Sequence, residues 1–171
     1  MNVKNPQWGI EWFLKCFSYD YVTFGGRARR REFWYFTLFS LIVSSLCAGL
    51  DVVLGTAIVV NIANSASAHG IFGNIYSIAA FLPSLAVGWR RLHDTGRSGW
   101  LQVIPFVPFV VGYPVIFFMA LNAQMFSSLA LAGVMITMAI ASLVALVWLF
   151  VLFALNSHPG PNRFGENPKG E

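Results

Sequence analysis

The chain has 171 residues, 57% of them apolar and only 11% charged. A water-soluble domain carries about 25% charged residues, so an ordinary soluble domain is excluded, and the length points to a single domain. The net charge of +4 is gathered in clusters, with lysines and arginines only at Lys4, Lys15, Arg27, Arg29, Arg30, Arg31, Arg90, Arg91, Arg97, Arg163 and Lys169. None lies between Glu32 and Trp89 or between Ser98 and Asn162, and runs of that length are where a hydrocarbon core fits.

Residues 1–32 read as a polar and aromatic head at the membrane surface. In "WGIEWFLKCFSYDY" (Trp8 to Tyr21), Trp8, Trp12 and Phe13 lie at helical spacing with Cys16 and Phe17 one turn on, and Glu11 is four residues before Lys15. A short helix lying on the membrane face and one packed on the end of a bundle fit equally well. "FGGRARRREFWYF" (Phe24 to Phe36) follows, with four arginines between two glycines and a run of aromatics.

The first span is expected at about 33–54, where 22 residues would cover roughly 33 Å. Apolar texture continues to Ala63, so its far end is open. Asp51 is the only charged residue there and is expected near the outer interface with its carboxylate hydrated; buried deeply, it would be a candidate intramembrane polar site. "NSASAHG" (Asn64 to Gly70) reads as a loop, with His69 an isolated surface residue.

A second span is expected at 71–89, interrupted by Pro83. "GWRRLHDTGRSGW" (Gly88 to Trp100) then reads as a tight connection, with Gly96 and Gly99 for turns and tryptophans at headgroup depth. The third span, 100–121, holds Pro105, Pro108 and Pro114 and is expected to be bent, to start unwound, or to be re-entrant. The fourth, 129–155, has no charge, and 156–171 forms a turn-rich tail.

The fold class is therefore all-α: a polytopic membrane protein of four transmembrane helices with short loops. With both termini inside, all 11 basic residues are cytoplasmic and the outer loops have none, as the positive-inside rule requires. The first anchor starts too late, and is too long, for a cleavable signal peptide. Charge rules alone need no acids among the bases. Glu32 beside Arg31, and Asp94 beside Arg91 and Arg97, point to cross-loop pairs: Glu32 with Arg90 or Arg91, and Asp94 with an arginine of the first cluster.

Three stretches resemble a small bacterial inner-membrane family, the domain of unknown function 805 or YhaH-like proteins: "FGGRARRREFWYFTLF" (24–39), "RRLHDTGRSGW" (90–100) and "GPNRFGENP" (160–168). The resemblance covers about residues 8–168 and implies a multi-spanning inner-membrane protein. It supplies no catalytic residues, since the family has no established biochemical activity. The long fourth segment and the apolar stretch after Leu54 depart from shorter relatives.

The residues expected to form a lipid- or partner-binding and structural face are Arg27, Arg29, Arg30, Arg31, Glu32, Trp34, Arg90, Arg91, His93, Asp94, Gly96, Arg97, Gly99, Trp100, Asn162 and Arg163. A hydrolase built on His93, Asp94 and Ser98 would need three converging side chains and an oxyanion site that no motif supplies. No enzyme activity, metal site or cofactor is expected. Zinc on His93, Asp94 and His158 would lack a compact four-ligand set. Expected partners are the bilayer, anionic lipid headgroups, and a second copy or another membrane protein. Nucleic acid is not among them, because the arginines are few and membrane-proximal. The function expected is a structural or interaction role at an arginine–aromatic cytoplasmic face. The alternative is a small-solute transporter or channel component using the proline-broken segments and Asp51.

Overall fold

A computed structural model describes residues 6, 8–56, 58–62, 65–122 and 124–168, with the backbone alone at 58–62 and 65–69. Lys4, Lys169 and the His69 side chain lie outside that description. In chain order the elements are α1 (Gly9–Ser18), α2 (Arg30–Val53), β1 (Ile58–Ile62), β2 (Ser65–His69), α3 (Ile71–Asp94), a 3-10 segment (Gly99–Phe106), α4 (Val107–Leu121) and α5 (Ser128–Ala154). Among the described residues four stretches are long and apolar enough to cross a membrane: Arg30–Val53, Ile71–Asp94, Gly99–Leu121 and Ser128–Ala154. The 24 residues of α2 span about 36 Å.

Two helix ends explain where these elements stop. Past α2, Gly55 takes φ +66°, its N–H donates to the Val52 carbonyl, and the Thr56 N–H donates to that of Asp51. Past α3, Gly96 takes φ +77°, with the matching bonds from Gly96 to His93 and from Arg97 to Leu92. This double bond around a left-handed glycine is a Schellman stop.

The second stop corrects the expected boundary at Trp89. The helix continues for five residues, so the sequence read as a loop from Gly88 is helical through Asp94, and the connection shrinks to 95–98. The first stop shows that the apolar texture after Leu54 is not helix. It becomes β1, which pairs antiparallel with β2 from Ile58–His69 to Ile62–Ser65, so most of the expected loop is a hairpin. The third span opens as a 3-10 turn and becomes α-helical at Val107.

Helix α2 packs on α3, and α4 on α5, while the 3-10 segment bridges α3 and α5. Buried packing concentrates at the end carrying both chain ends. One cluster joins Cys16, Ala28, Phe36 and Val87; a second joins Leu92, Leu149, Leu152 and Phe153, and Phe33 touches both. Elsewhere the spans expose large apolar side chains such as Leu41, Ile78, Val110 and Leu129, which in a bilayer face acyl chains. Hydroxyls on the spans bond back to carbonyls four residues earlier, as Thr37 does to Phe33 and Ser45 to Leu41.

Helix α1 packs on the bundle end, which decides between its two expected placements. Cys16 is fully buried, and the Phe13 and Phe36 rings stack at 5.9 Å. Lys15 pairs with Asp20 and Glu32 rather than with Glu11, whose carboxylate accepts the Trp8 N–H at 3.2 Å.

Candidate functional site: a three-motif ion-pair cluster

The last two turns of α3 form the centre of the site. Adjacent residues on a helix point roughly 100° apart, so Arg90 and Arg91 serve different neighbours. Arg90 turns toward α1 and α2, where its Nη1 reaches Glu32 Oε1 at 2.5 Å and Asp20 Oδ2 at 2.9 Å. Lys15 Nζ lies 3.1 Å from Asp20 and 3.4 Å from Glu32, so two cations balance two acids. The Arg90 carbonyl also accepts the Ala28 N–H at 3.0 Å, which ties the first motif to α3.

Cys16 is enclosed by this group, with Sγ 4.0 Å from Glu32 Oε1 and 3.9 Å from Arg90 Nη2. Burial, and secondly the Glu32 charge, push the Cys16 thiol up to about 12.

Arg91 and Asp94 are three residues apart and share a face. They form an ion pair with both side chains completely buried. Arg91 Nε donates to the Phe153 carbonyl at 3.0 Å, and its Nη2 donates to that of Leu155. Arg30 Nε donates to the same Leu155 carbonyl at 2.7 Å. Helix α5 has no basic residue in its own last turn. Its orphan carbonyls, the negative end of its dipole, are instead capped by arginines from α2 and α3.

Asp94 is the hub. Its Oδ1 accepts Arg27 Nε at 3.0 Å, and its Oδ2 accepts Arg91 Nη1 and Ser157 Oγ, the latter at 2.5 Å. Arg27 also donates to the carbonyls of His158 and Gly160, each at 2.8 Å. Both expected cross-motif pairs, Glu32 with an α3 arginine and Asp94 with an arginine of the first cluster, are therefore present.

The third motif closes over His93. The Phe164 ring stacks on the imidazole at 3.7 Å and 4°, and the Arg163 guanidinium lies over the Phe164 ring at 4.6 Å. Asn162 Nδ2 donates to the His93 carbonyl at 3.0 Å. His93 Nδ1 is 3.1 Å from the Gly26 carbonyl, which fits a proton on Nδ1. Gly99 sits where a Cβ would come within 2.2 Å of the Trp89 ring, so only glycine fits there.

The expected residues thus divide. Arg27, Glu32, Arg90, Arg91, His93, Asp94 and Asn162 interlock, and Gly96 ends α3. Arg29 precedes the first turn of α2 with no side-chain cap. Trp34 lies edge-on to Phe150 at 5.3 Å. Arg31, Arg97 and Arg163 are exposed, none in an ion pair among the described residues, and Trp100 is 69% exposed. His93, Asp94 and Ser98 diverge: the imidazole faces Gly26 and Phe164, the carboxylate faces arginines, and Ser98 Oγ accepts the Trp100 N–H. Among the described residues no group of three or more His, Cys, Asp or Glu is placed to hold a metal. Asp20 and Ser157 carry no signal in the sequence, since the Arg90 and Asp94 side chains that they meet lie more than 60 residues away.

Asp51 occupies the opposite end and is only 2% exposed, rather than open at the interface as expected. Its carboxylate accepts the Phe72 N–H at 3.0 Å, the Gly73 N–H at 2.8 Å and the Thr56 hydroxyl at 2.6 Å. It caps the N-terminus of α3 from the end of α2, where a helix dipole favours an anion. A Cβ on Gly70 would fall 1.9 Å from its Cγ, so this close approach requires glycine.

A family model described as "protein of unknown function (DUF805)" matches residues 21–166, which include nearly all of the three motifs. The inner membrane protein YhaH of Escherichia coli (strain K12) is 35% identical over 162 residues, covering 95% of this chain and 99% of that protein. The inner membrane protein YhaI of the same strain is 39% identical over 101 residues, 59% of this chain and 75% of that protein. No solved structure matches the chain. With its motifs interlocked at one end of four membrane-spanning helices, the chain belongs to the DUF805 family and is a multi-pass protein of the bacterial inner membrane.

Proposed function

We propose that this protein is a non-catalytic structural or interaction component of the inner membrane, with both chain ends in the cytoplasm. Its motif end holds anionic lipid headgroups. The observation that carries the reading is the division of labour among the arginines. Arg27, Arg90 and Arg91 are consumed inside the cluster, whereas Arg31, Arg97 and Arg163 face outward without an acid among the described residues. Trp100 and Tyr35 are exposed as well, and the Arg163 guanidinium lies over the Phe164 ring, a mix of cations and aromatics suited to phosphate-bearing headgroups. Each near-surface basic residue contributes about 1 kcal/mol toward an anionic leaflet.

A second reading, as a small-solute transporter or channel component, draws on a polar cavity of about 170 Å³ at the hairpin end, lined by Ser44, Asp51, Asn74 and Ser77 among others. Its one acid is already engaged by three donors in holding α3, which favours the first reading.

The test compares wild type with R31Q/R97Q/R163Q, extracted from native membranes in mild detergent, by the anionic phospholipid retained. The variant should lose most of that lipid and keep its thermal midpoint. Equal lipid in both forms would overturn the reading. A co-purifying protein lost in the variant would replace lipid with a protein partner.

A further inference from the structure

We propose that a groove on α2, lined by Arg30, Arg31, Trp34, Tyr35 and Leu38, binds one anionic phospholipid, its phosphate at the arginines and an acyl chain along Leu38. This rests on the reading above and narrows it to one place. The groove encloses about 260 Å³. Its residues fall at i, i+1, i+4, i+5 and i+8, a single stripe of the helix. Along the stripe the chemistry changes from guanidinium to indole and phenol to alkyl over about 12 Å at the helical rise. That order follows a phospholipid from phosphate through the glycerol level to the upper acyl chain.

Two of the lining side chains are held in place before any ligand arrives. Arg30 is fixed by its Nε bond to the Leu155 carbonyl at 2.7 Å, which leaves its terminal nitrogens for another acceptor. Trp34 is fixed edge-on against Phe150 at 5.3 Å. Arg31 is exposed and has no ion-pair partner among the described residues, so the charged end of the groove lacks a counter-ion. Arginine forks match phosphate oxygens in pairs.

A free phosphate would use only the arginine end and leave Trp34, Tyr35 and Leu38 idle. A soluble peptide would have to follow the stripe into a span that belongs to the bilayer. The feature that selects lipid is the continuity of a cationic head site with an apolar track.

The full chain is exchanged into micelles doped with dioleoylphosphatidylglycerol or zwitterionic dioleoylphosphatidylcholine, and bound lipid is counted by native mass spectrometry. Wild type should retain one phosphatidylglycerol in preference to phosphatidylcholine, and excess inorganic phosphate should not displace it. R31Q should weaken retention about fivefold, the equivalent of one near-surface basic residue. R31Q/Y35A should weaken it further with an unchanged thermal midpoint, and by more than R97Q/R163Q does. Displacement by phosphate, or equal retention of the zwitterionic lipid, would overturn the assignment. Loss in R97Q/R163Q with retention in R31Q/Y35A would remove the groove but leave the broader reading standing. No anionic lipid on any form would remove both.

Discussion

Asp94 shows how much can rest on one carboxylate. It neutralises two arginines whose side chains are almost wholly buried, and Arg91 has no route to water. Removing one partner of a buried pair leaves an uncompensated charge, at a cost of about 3–5 kcal/mol. D94A should therefore lower the stability of the detergent-solubilised protein by about that amount in a denaturant titration, whereas the exposed R97A should stay within about 0.5 kcal/mol. Cys16 makes a pH-dependent prediction at the same scale. Its folded value of about 12 stands above the ordinary 9.0, so the native state keeps a proton that the unfolded chain gives up. The stabilisation is complete below pH 9 and is lost as pH rises toward 12, at a limiting slope of about 1.4 kcal/mol per pH unit. C16S should flatten the alkaline loss of stability between pH 9 and 11, read by thermal unfolding across that range.

At the scale of elements, the proline-containing helix α3 is repaired from outside itself. Pro83 has no N–H, so the Ala79 carbonyl four residues earlier loses its helical donor. The Tyr21 hydroxyl, from the segment after α1, donates to that carbonyl at 2.8 Å. A proline within a membrane span is tolerated when a neighbour satisfies the freed group in this way. Y21F should cost about 1 kcal/mol in a wild-type background. In P83A the helix regains its own donor, so Y21F should cost much less there; additivity in that double-mutant cycle would break the link. The Asp51 cap works on the same principle at the other end of α3, since a side chain of α2 completes a helix that its own N-cap, Gly70, leaves open.

For the whole molecule, the arrangement is one densely paired end and a body with an apolar exterior. The ion pairs, the α5 cap and both apolar clusters gather where the chain ends meet, while the α4–α5 pair presents mainly apolar surface. The basic residues at this end set the orientation we propose. Single-cysteine chains lacking Cys16 and Cys47 test it with a membrane-impermeant maleimide on spheroplasts. A cysteine at position 66 in the hairpin should label from outside, and one at position 97 should label only after permeabilisation. The opposite pattern would invert the protein and place the arginines against the outer leaflet.

The sequence by itself determined the four spans, the irregularity of the third, the turn-rich tail and the pairing of the two acids with arginines of the other motif. Long apolar runs and clustered charge are local signals, and a bilayer leaves few alternatives to helix. Even the end of α3 was legible in principle, because Gly96 follows Arg90, Arg91 and His93 within two turns, and a glycine just past basic side chains is a helix stop. Only the tertiary structure decided which arginines are locked and which are free. Arg27, Arg90 and Arg91 differ little in local sequence from Arg31 and Arg97, and apart from the Arg91–Asp94 pair their partners lie tens of residues away. The roles of Cys16, Asp20, Tyr21 and Asp51 were decided in the same way. Each answers a charge or an orphan backbone group presented by a different helix, and that need exists only once the helices are packed.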